Sequence, residues 1–214
     1  MNSSTDARRD ALRTALTDIA EEQISRAGLS SLKARKLATD AGCSVGAIYN
    51  VFDDLTGVVF AVNSRTFACL GETINAALAS EKNATAQEML VIMSRAYLSF
   101  ATEHETSWRC LFELPVGSED NVPDWYLKEM NDLFALVSAP LREIYSDLPE
   151  EDIQLLARAL FSSVHGIVQL GLDRRLSGVP VPQIERMIEL VLLNLSSPGG
   201  TTSNQNAPGD ADLA

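Results

Sequence analysis

Residues 28–62, GLSSLKARKLATDAGCSVGAIYNVFDDLTGVVFAV, determine how this chain is expected to fold. They are predicted to form two short helices joined by a tight turn at Gly42, followed by the start of a longer helix. Gly42 supplies the positive φ that ends a helix, and Ser44 is a suitable N-cap for the next helix, which runs from Val45 to Asn50. Proteins commonly use such a pair of helices to place the second helix against DNA.

The first helix of this pair is expected to be buried on one side and basic on the other. Leu37 and Ala38 lie on its apolar face, whereas Lys33, Arg35 and Lys36 fall outside that face. The whole chain has a formal net charge of −12, but residues 1–66 contain equal numbers of acidic and basic side chains. An acidic body behind a locally basic surface is typical of a specific binder with little non-specific adhesion.

The rest of the chain has the apolar spacing of helices and no strand pattern. The predicted fold class is therefore all-α, with a three-helix DNA-binding head followed by a second helical domain. We expect a flexible N-terminus over 1–6, the helix-turn-helix head over 7–53, the second domain over 54–196, and a disordered tail over 197–214. One long helix is predicted to leave the head at Asp53 or Asp54, and a loop is expected over 113–124.

The head resembles the DNA-binding domain of the TetR family of bacterial transcriptional regulators over roughly residues 8–66. The residues that carry this resemblance are Gly28, Leu37, Ala38, Ala41, Gly42, Ser44, Gly46, Ile48, Tyr49 and Phe52. A second and weaker resemblance links Val164, His165 and Gly166 to the His-Gly element of one C-terminal subgroup of that family. The resemblance implies a sequence-specific regulator, in most cases a repressor that a small, largely apolar effector releases from a palindromic operator.

The residue types and the resemblance together predict which side chains contact double-stranded DNA. Arg35 is expected to reach a base edge, where guanidinium pairs with guanine, or else to be an ordinary solvated charge. The Tyr49 hydroxyl is expected to meet a phosphate, with packing against Phe52 as the alternative. The full predicted set is Lys33, Arg35, Lys36, Ser44, Val45, Gly46, Ala47, Tyr49 and Asn50.

One position departs from the family pattern. A lysine that grips phosphate commonly follows the aromatic residue Phe52 by three positions, but this chain has Leu55 there, preceded by Asp53 and Asp54. This difference keeps a rival interpretation open, in which the chain is a ligand-binding or scaffolding protein of the same fold that has lost specific DNA binding.

The C-terminal helices are predicted to pair with a second copy of the chain. Small residues recur at helical spacing after residue 150, and a wide apolar stripe follows Pro182. The resemblance implies a homodimer through the last two helices, which would place two heads on a palindrome. The predicted interface consists of Ala159, Ser162, Ser163, Gly166, Ile184, Met187, Ile188, Val191 and Leu195.

Aromatic residues in the second domain either line an effector cavity or fill the core. The resemblance implies a cavity there, and Trp108, Phe112, Trp125 and Phe134 are predicted to line it. His165 is expected to be a hydrogen-bonded structural histidine rather than a metal ligand, since His104 is the only other histidine.

The sequence predicts neither an enzyme nor a cofactor. It has two histidines, and its three cysteines at 43, 69 and 110 lack metal-binding or CxxC spacing, so we expect small buried side chains in a reducing cytosol. No apolar run is expected to cross a membrane and no signal peptide is predicted at the N-terminus. The expected location is the cytoplasm.

Overall fold

The computed structural model describes residues 3–114, 122–173 and 179–195. Within these ranges the chain forms nine α-helices and no strand. The helices are α1 (Ser3–Ala27), α2 (Ala34–Asp40), α3 (Val45–Tyr49), α4 (Leu55–Ser80), α5 (Ala86–Glu103), α6 (Glu105–Glu113), α7 (Asp124–Ile144), α8 (Glu150–Leu172) and α9 (Val181–Leu195). The expected all-α fold class is confirmed.

The boundaries of the helices follow from local hydrogen bonding. Gly42 ends the α2 turn with φ of 63°, a conformation that glycine adopts without strain. Ser44 caps α3 by accepting a backbone N–H at 3.1 Å, and Asp54 caps α4 in the same way at 2.8 Å. At α5, Thr85 and Glu88 form a reciprocal capping box. Each cap satisfies backbone donors that a helix otherwise leaves unpaired.

Two features differ from the sequence-based expectations. The first helix already begins at Ser3, so the predicted flexible segment 1–6 is largely helical. Helix α6, which directly precedes the expected loop over 113–124, was not predicted as a separate helix. The expected tail over 197–214 and most of the expected loop over 113–124 lie outside the described residues.

The head has its own apolar core, built from α1, α2, α3 and the start of α4. Leu16, Ile24, Leu37, Ile48 and Val58 are fully buried in it. A polar contact borders this core just after the end of α3. Arg13 of α1 donates a hydrogen bond to the carbonyl oxygen of Val51 at 2.5 Å, and its guanidinium lies 4.3 Å from the Phe52 ring centroid.

A second and larger core lies among α4, α5, α7, α8 and α9. Helices α8 and α9 approach each other closely at Gly171, where an added Cβ would lie 2.6 Å from Ile184 Cδ1. Helix α1 is also tied to α4, since Arg65 forms ion pairs with Asp18 at 2.7 Å and with Glu21 at 2.6 Å. The long helix α4 therefore contributes to both cores.

Helix α8 is the one helix in the described ranges that is long and apolar enough to cross a membrane, which corrects the expectation that no such segment exists. Length and composition are weak criteria, because core helices of soluble proteins meet them as well. One side of α8 is buried in the second core through Ile153, Ala157, Leu160 and Val164. Most of its other residues are half-buried or exposed.

Candidate DNA-binding surface and effector cavity

Helix α3 lies on the outside of the head, where an external surface can reach it. Ile48 is its single fully buried side chain and anchors it to the head core. Ser44, Gly46 and Asn50 are exposed, and Tyr49 is 46% exposed although it is a large aromatic residue. Val45 and Ala47 are half-buried. Exposure of Tyr49 keeps its hydroxyl available for a partner.

The three cations predicted on α2 and its N-cap are all exposed, but one of them is paired. Lys36 Nζ lies 2.6 Å from Asp40 Oδ2, and Gln23 of α1 donates to the same oxygen at 2.8 Å. The hydrogen bond from Lys36 holds the pKa of Asp40 below its usual value. Exposed pairs of this kind contribute little to stability, so Lys36 can exchange Asp40 for a phosphate at small cost.

The departure at Leu55 has a structural explanation. Leu55 is the first residue of α4, and it is half-buried against the head core. Asp54 beside it is the α4 N-cap, whereas Asp53 is exposed and takes no part in the cap. Two of the three residues that distinguish this chain from the family pattern therefore hold the start of α4 in place.

A cavity of about 380 Å³ lies in the second domain. Its wall is almost entirely apolar, which suits the small-molecule sites found in proteins of this size. Phe67, Leu70 and Ile74 form one side of it from α4. The other lining residues are Leu90, Met93, Ser94, Tyr97, Leu111, Phe112, Leu114, Val122, Tyr126, Leu127, Met130, Leu133, Phe134, Leu136, Val137, Leu160, Phe161, Val164 and Leu192.

Two of the four predicted cavity residues are in the wall, and two are not. Phe112 and Phe134 line the cavity. The prediction was wrong for Trp108, which is completely buried in the core behind Phe112. It was also wrong for Trp125, which is 45% exposed and packs edge-on against Tyr126 outside the wall. The side of a helix on which an aromatic residue lies depends on how that helix packs, and sequence alone does not give this packing.

His165 belongs to a hydrogen-bonded aromatic cluster next to the cavity. Its Nδ1 is 2.8 Å from the Tyr97 hydroxyl, which also accepts a hydrogen bond from Trp108 Nε1 at 2.8 Å. The rings of Phe112 and Phe161 pack against the imidazole. Burial lowers the pKa of His165, because a charged imidazolium would lose its hydration there. These contacts agree with a structural role.

Helix α6 is shared between the head and the cavity. Cys110 is buried in the head core, and burial raises the pKa of its thiol to about 11. Leu114, directly after the helix, packs against the same core. Leu111 and Phe112 line the cavity from the adjacent positions. Helix α6 therefore contacts both the head core and the cavity.

The outer surfaces of α8 and α9 expose many apolar side chains. Among the predicted interface residues, Ala159, Ser162 and Met187 are exposed, and Ser163, Gly166 and Val191 are half-buried. Sequence reasoning missed the large residues Leu155, Leu170, Leu190 and Leu193, which are 65%, 54%, 46% and 47% exposed. Their spacing alone did not separate the outer face of each helix from its core face.

Two predicted interface residues are instead part of the protomer's own core. Ile184 and Ile188 are 1% and 0% exposed, so they have no surface left for a partner. The apolar stripe on α9 is wide enough to contribute both to the protomer's own core and to its outer surface. The residues on its inner edge pack onto α5 and α8. The side chain of Leu195 lies outside the described residues.

The described ranges contain no group of three or more histidine, cysteine or acidic side chains that would hold a metal ion. The three cysteines are free thiols there. Cys110 is buried as expected, Cys43 is half-buried, and the expectation was wrong for Cys69, which is exposed on α4.

Residues 90–195 match the family model described as the tetracyclin repressor-like C-terminal domain. This match covers α5 after its first turn and all later helices, together with the whole outer surface of α8 and α9. No curated protein matches the chain in sequence.

Solved structures with the same fold cover most of the chain. A protein of unknown function from Rhodococcus sp. RHA1 is 22% identical, with a TM-score of 0.68 over 86% of this chain and 94% of that chain. A TetR-family transcriptional regulator from Streptomyces coelicolor is 17% identical, with a TM-score of 0.62 over 87% and 80%. The multidrug binding protein EbrR, solved with imidazole, is 19% identical, with a TM-score of 0.61 over 86% and 93%.

Proposed function

Because this chain belongs to the TetR family, we propose that it is a sequence-specific DNA-binding transcriptional regulator. The observation that carries the proposal is the outward position of α3, in which only Ile48 is buried and Tyr49 and Asn50 are exposed. A helix held in this way can enter a major groove while the head core stays intact. Lys33, Arg35 and Lys36 lie on the preceding helix and its N-cap, where they would meet phosphates and one base edge.

Binding to a palindrome requires two heads, and we propose a homodimer through the outer surfaces of α8 and α9. Leu155, Leu170, Met187, Leu190 and Leu193 expose an apolar surface there that is unusual for a solitary soluble protein. Small residues between them, such as Ala159 and Ser162, allow a partner helix to come close. A two-fold axis through this surface would set the separation of the two heads.

The regulator is proposed to act as a repressor that an apolar effector releases from its operator. The cavity supports this proposal, since its wall is apolar and α6 is common to the wall and the head core. An effector that displaces Leu111 and Phe112 would move Cys110 and Leu114 as well. Allosteric coupling of about 1–3 kcal/mol is sufficient for a response of this kind. EbrR, a multidrug binding protein by name, has the same fold and supports a ligand-binding role for the second domain.

Titrating the protein into fragments of its own upstream DNA at two salt concentrations tests the proposal. We expect tight and sequence-selective binding that weakens as salt is raised, because cations contact phosphate at the interface. A scrambled fragment of equal length is the matched control. Binding that is uniformly weak and equal for both fragments would contradict the proposal.

That contrary result would favour a ligand-binding protein of the same fold that has lost its operator. Leu55 favours this second candidate, since it occupies the position where the family commonly has a lysine, and Asp53 and Asp54 add two acidic side chains just before it. Asp54 and Leu55 also stabilise the start of α4, however, and this role explains them without any loss of DNA binding.

A further inference from the structure

The proposed DNA surface has no cation of its own where α3 passes into α4. Between Lys36 and Arg65 the sequence contains no lysine or arginine, and this interval includes the whole of α3. The α3–α4 junction, residues 50–54, carries two exposed acids instead, Asp53 and Asp54. A phosphate that approaches the junction meets these carboxylates, and their like charge opposes binding unless a cation from another helix offsets it.

Helix α1 places an arginine at this junction. Arg13 Nη2 donates to the carbonyl oxygen of Val51 at 2.5 Å, and the guanidinium carbon lies 4.3 Å from the centroid of the Phe52 ring. Val51 and Phe52 both follow α3 and precede α4. The two contacts therefore hold the guanidinium beside the end of the helix that is proposed to enter the major groove.

Most of the hydrogen-bonding capacity of Arg13 is left for a partner. Among the described residues, Nη2 is the one guanidinium nitrogen of Arg13 with a recorded acceptor, and no acid forms an ion pair with it. The residue is also exposed, although it is tethered at two points. A guanidinium with free N–H donors in a planar fork suits a phosphate, and a side chain already held in place loses less entropy on binding.

Arg9 extends the same face of α1 by one turn. Residues four apart lie on one side of a helix, and farther along this side Leu16 and Ala20 are fully buried in the head core. Arg9 therefore continues the face by which α1 packs on the head, outward past Arg13. Arg9 is exposed and has no recorded partner within the part of the chain that the structure describes. Residues 6–13 contain three arginines and two aspartates, so the segment is net positive.

Given the DNA-binding role proposed above, on which this inference rests, we propose that Arg13 and Arg9 bind the phosphate backbone of the operator beside the α3–α4 junction. Helix α1 then supplies the positive charge that α3 and the start of α4 lack. The tether of Arg13 to Val51 and Phe52 fixes this phosphate contact relative to α3. Such a contact carries no sequence information, and it sets the docking position of α3 and the salt dependence of binding.

A purely structural role for Arg13 is the alternative. A cation near the C-terminus of a helix stabilises its last carbonyl groups, and the bond to Val51 lies just after α3. A structural role affects the unfolding of the head, but it releases no counterions when DNA binds. The salt dependence of DNA affinity therefore separates the two roles.

The test measures affinity by fluorescence anisotropy over a series of salt concentrations, with the upstream DNA fragment that the unaltered protein binds most tightly. Arg13→Gln removes the charge and Arg13→Lys retains it, while both variants alter the contact with Phe52. We expect Arg13→Gln to weaken binding at low salt by about tenfold or more. The slope of log affinity against log salt should become shallower by about one for each head on the DNA, and Arg13→Lys should keep the original slope.

Two further variants complete the comparison. Arg9→Gln should also make the slope shallower by about one for each head, and it should leave the melting temperature unchanged because Arg9 has no recorded contact to lose. Arg26→Gln is the matched control, since Arg26 is an exposed arginine about 20 Å farther along α1 and is paired with Glu22 at 2.6 Å. Its slope should equal that of the unaltered protein.

Equal slopes for Arg13→Gln and Arg13→Lys would overturn the inference and leave Arg13 with a structural role alone. An unchanged slope in Arg9→Gln would overturn it as well. The proposed function fails in a different way: if the unaltered protein binds no fragment selectively, both the regulator and this phosphate contact are excluded. Selective binding with the original slope in both glutamine variants excludes the phosphate contact and leaves the regulator intact.

Discussion

The hydroxyl of Tyr97 is shared between Trp108 and His165. Trp108 Nε1–H donates to the Tyr97 oxygen at 2.8 Å, and His165 Nδ1 lies 2.8 Å from the same oxygen. A neutral imidazole can accept the Tyr97 hydrogen at Nδ1, whereas an imidazolium has no lone pair with which to accept it. Burial also lowers the pKa of His165, because a charged imidazolium would lose its hydration there.

This arrangement predicts that stability declines in mild acid. A histidine whose pKa is lowered on folding binds its proton more readily in the unfolded chain, so its contribution to stability is complete above the unfolded pKa of about 6.5 and falls at lower pH. The slope is limited to about 1.4 kcal/mol per pH unit for one proton. We expect the melting temperature to fall between pH 7 and pH 5, above the range in which carboxylates titrate.

The matched variants are His165→Gln and His104→Gln, followed by thermal unfolding across that pH range. His165→Gln should flatten the decline and lower stability at neutral pH, whereas the exposed His104 should leave the decline unchanged. An equal slope in both variants and the unaltered protein would show that His165 does not control this transition.

The head offers a residue-level test of base recognition at Arg35. Arg35 is exposed on α2, next to the paired cation Lys36. If its guanidinium binds a guanine edge, Arg35→Ala should remove about 1–3 kcal/mol of discrimination at that base pair. Lys36→Ala is the control, and it should weaken all fragments evenly because a phosphate contact carries no sequence information. Operator variants measured by fluorescence anisotropy distinguish the two effects, and an even loss with Arg35→Ala would place that side chain on phosphate.

At the scale of whole elements, the start of α4 combines folding with DNA binding. Asp54 stabilises α4 as its N-cap, while the neighbouring Asp53 is exposed and does not cap. Asp54→Ala should lower the free energy of unfolding by about 0.5–2 kcal/mol, and Asp53→Ala should change it little. Both variants remove one negative charge near the proposed DNA surface, so both should bind DNA more tightly. Denaturant unfolding and DNA titration measure the two effects separately, and equal stability loss would exclude a special role for the cap.

The helices that the sequence predicted well are those with clear caps and regular apolar spacing. Gly42 ends α2 through its positive φ, and Ser44 begins α3 through a side-chain hydrogen bond to a backbone N–H. Both signals are local and do not depend on the rest of the fold. Helix α6 has nine residues, and its N-cap His104 makes no side-chain capping bond. Without such a signal, the separation of Trp108 into the core and Phe112 into the cavity wall was not predictable, because it depends on how α6 packs between two domains.

For the molecule as a whole, the sequence does not show which apolar residues are left outside the protomer's own core and can contact a partner. Ile184, Ile188, Met187 and Leu190 belong to the same wide stripe on α9, and only tertiary packing divides it into a core face and an outer face. The sequence predicts that an apolar outer surface exists, but it does not predict which residues form that surface.

A charge on that outer surface should separate the proposed dimer. Met187 is 43% exposed on α9, and Met187→Glu would bury an unpaired carboxylate at the interface, costing about 2 kcal/mol or more. We expect sedimentation equilibrium to detect a rise of about 30-fold or more in the dimer dissociation constant, together with weaker operator binding. Leu148→Glu is the control, since Leu148 is 41% exposed but lies in the turn before α8. Equal behaviour of the two variants would argue against this surface.

The position of α6 between two cores has a consequence for attempts to build a biosensor from this protein. Substitutions at cavity positions on α7 and α8, such as Met130 or Phe161, alter ligand preference without touching the head core directly. Substitutions at Leu111 or Phe112 would also disturb the packing of Cys110 and Leu114, so the basal output of the sensor would drift with its specificity. Directed evolution for a new inducer should therefore diversify α7 and α8 first and leave α6 as it is.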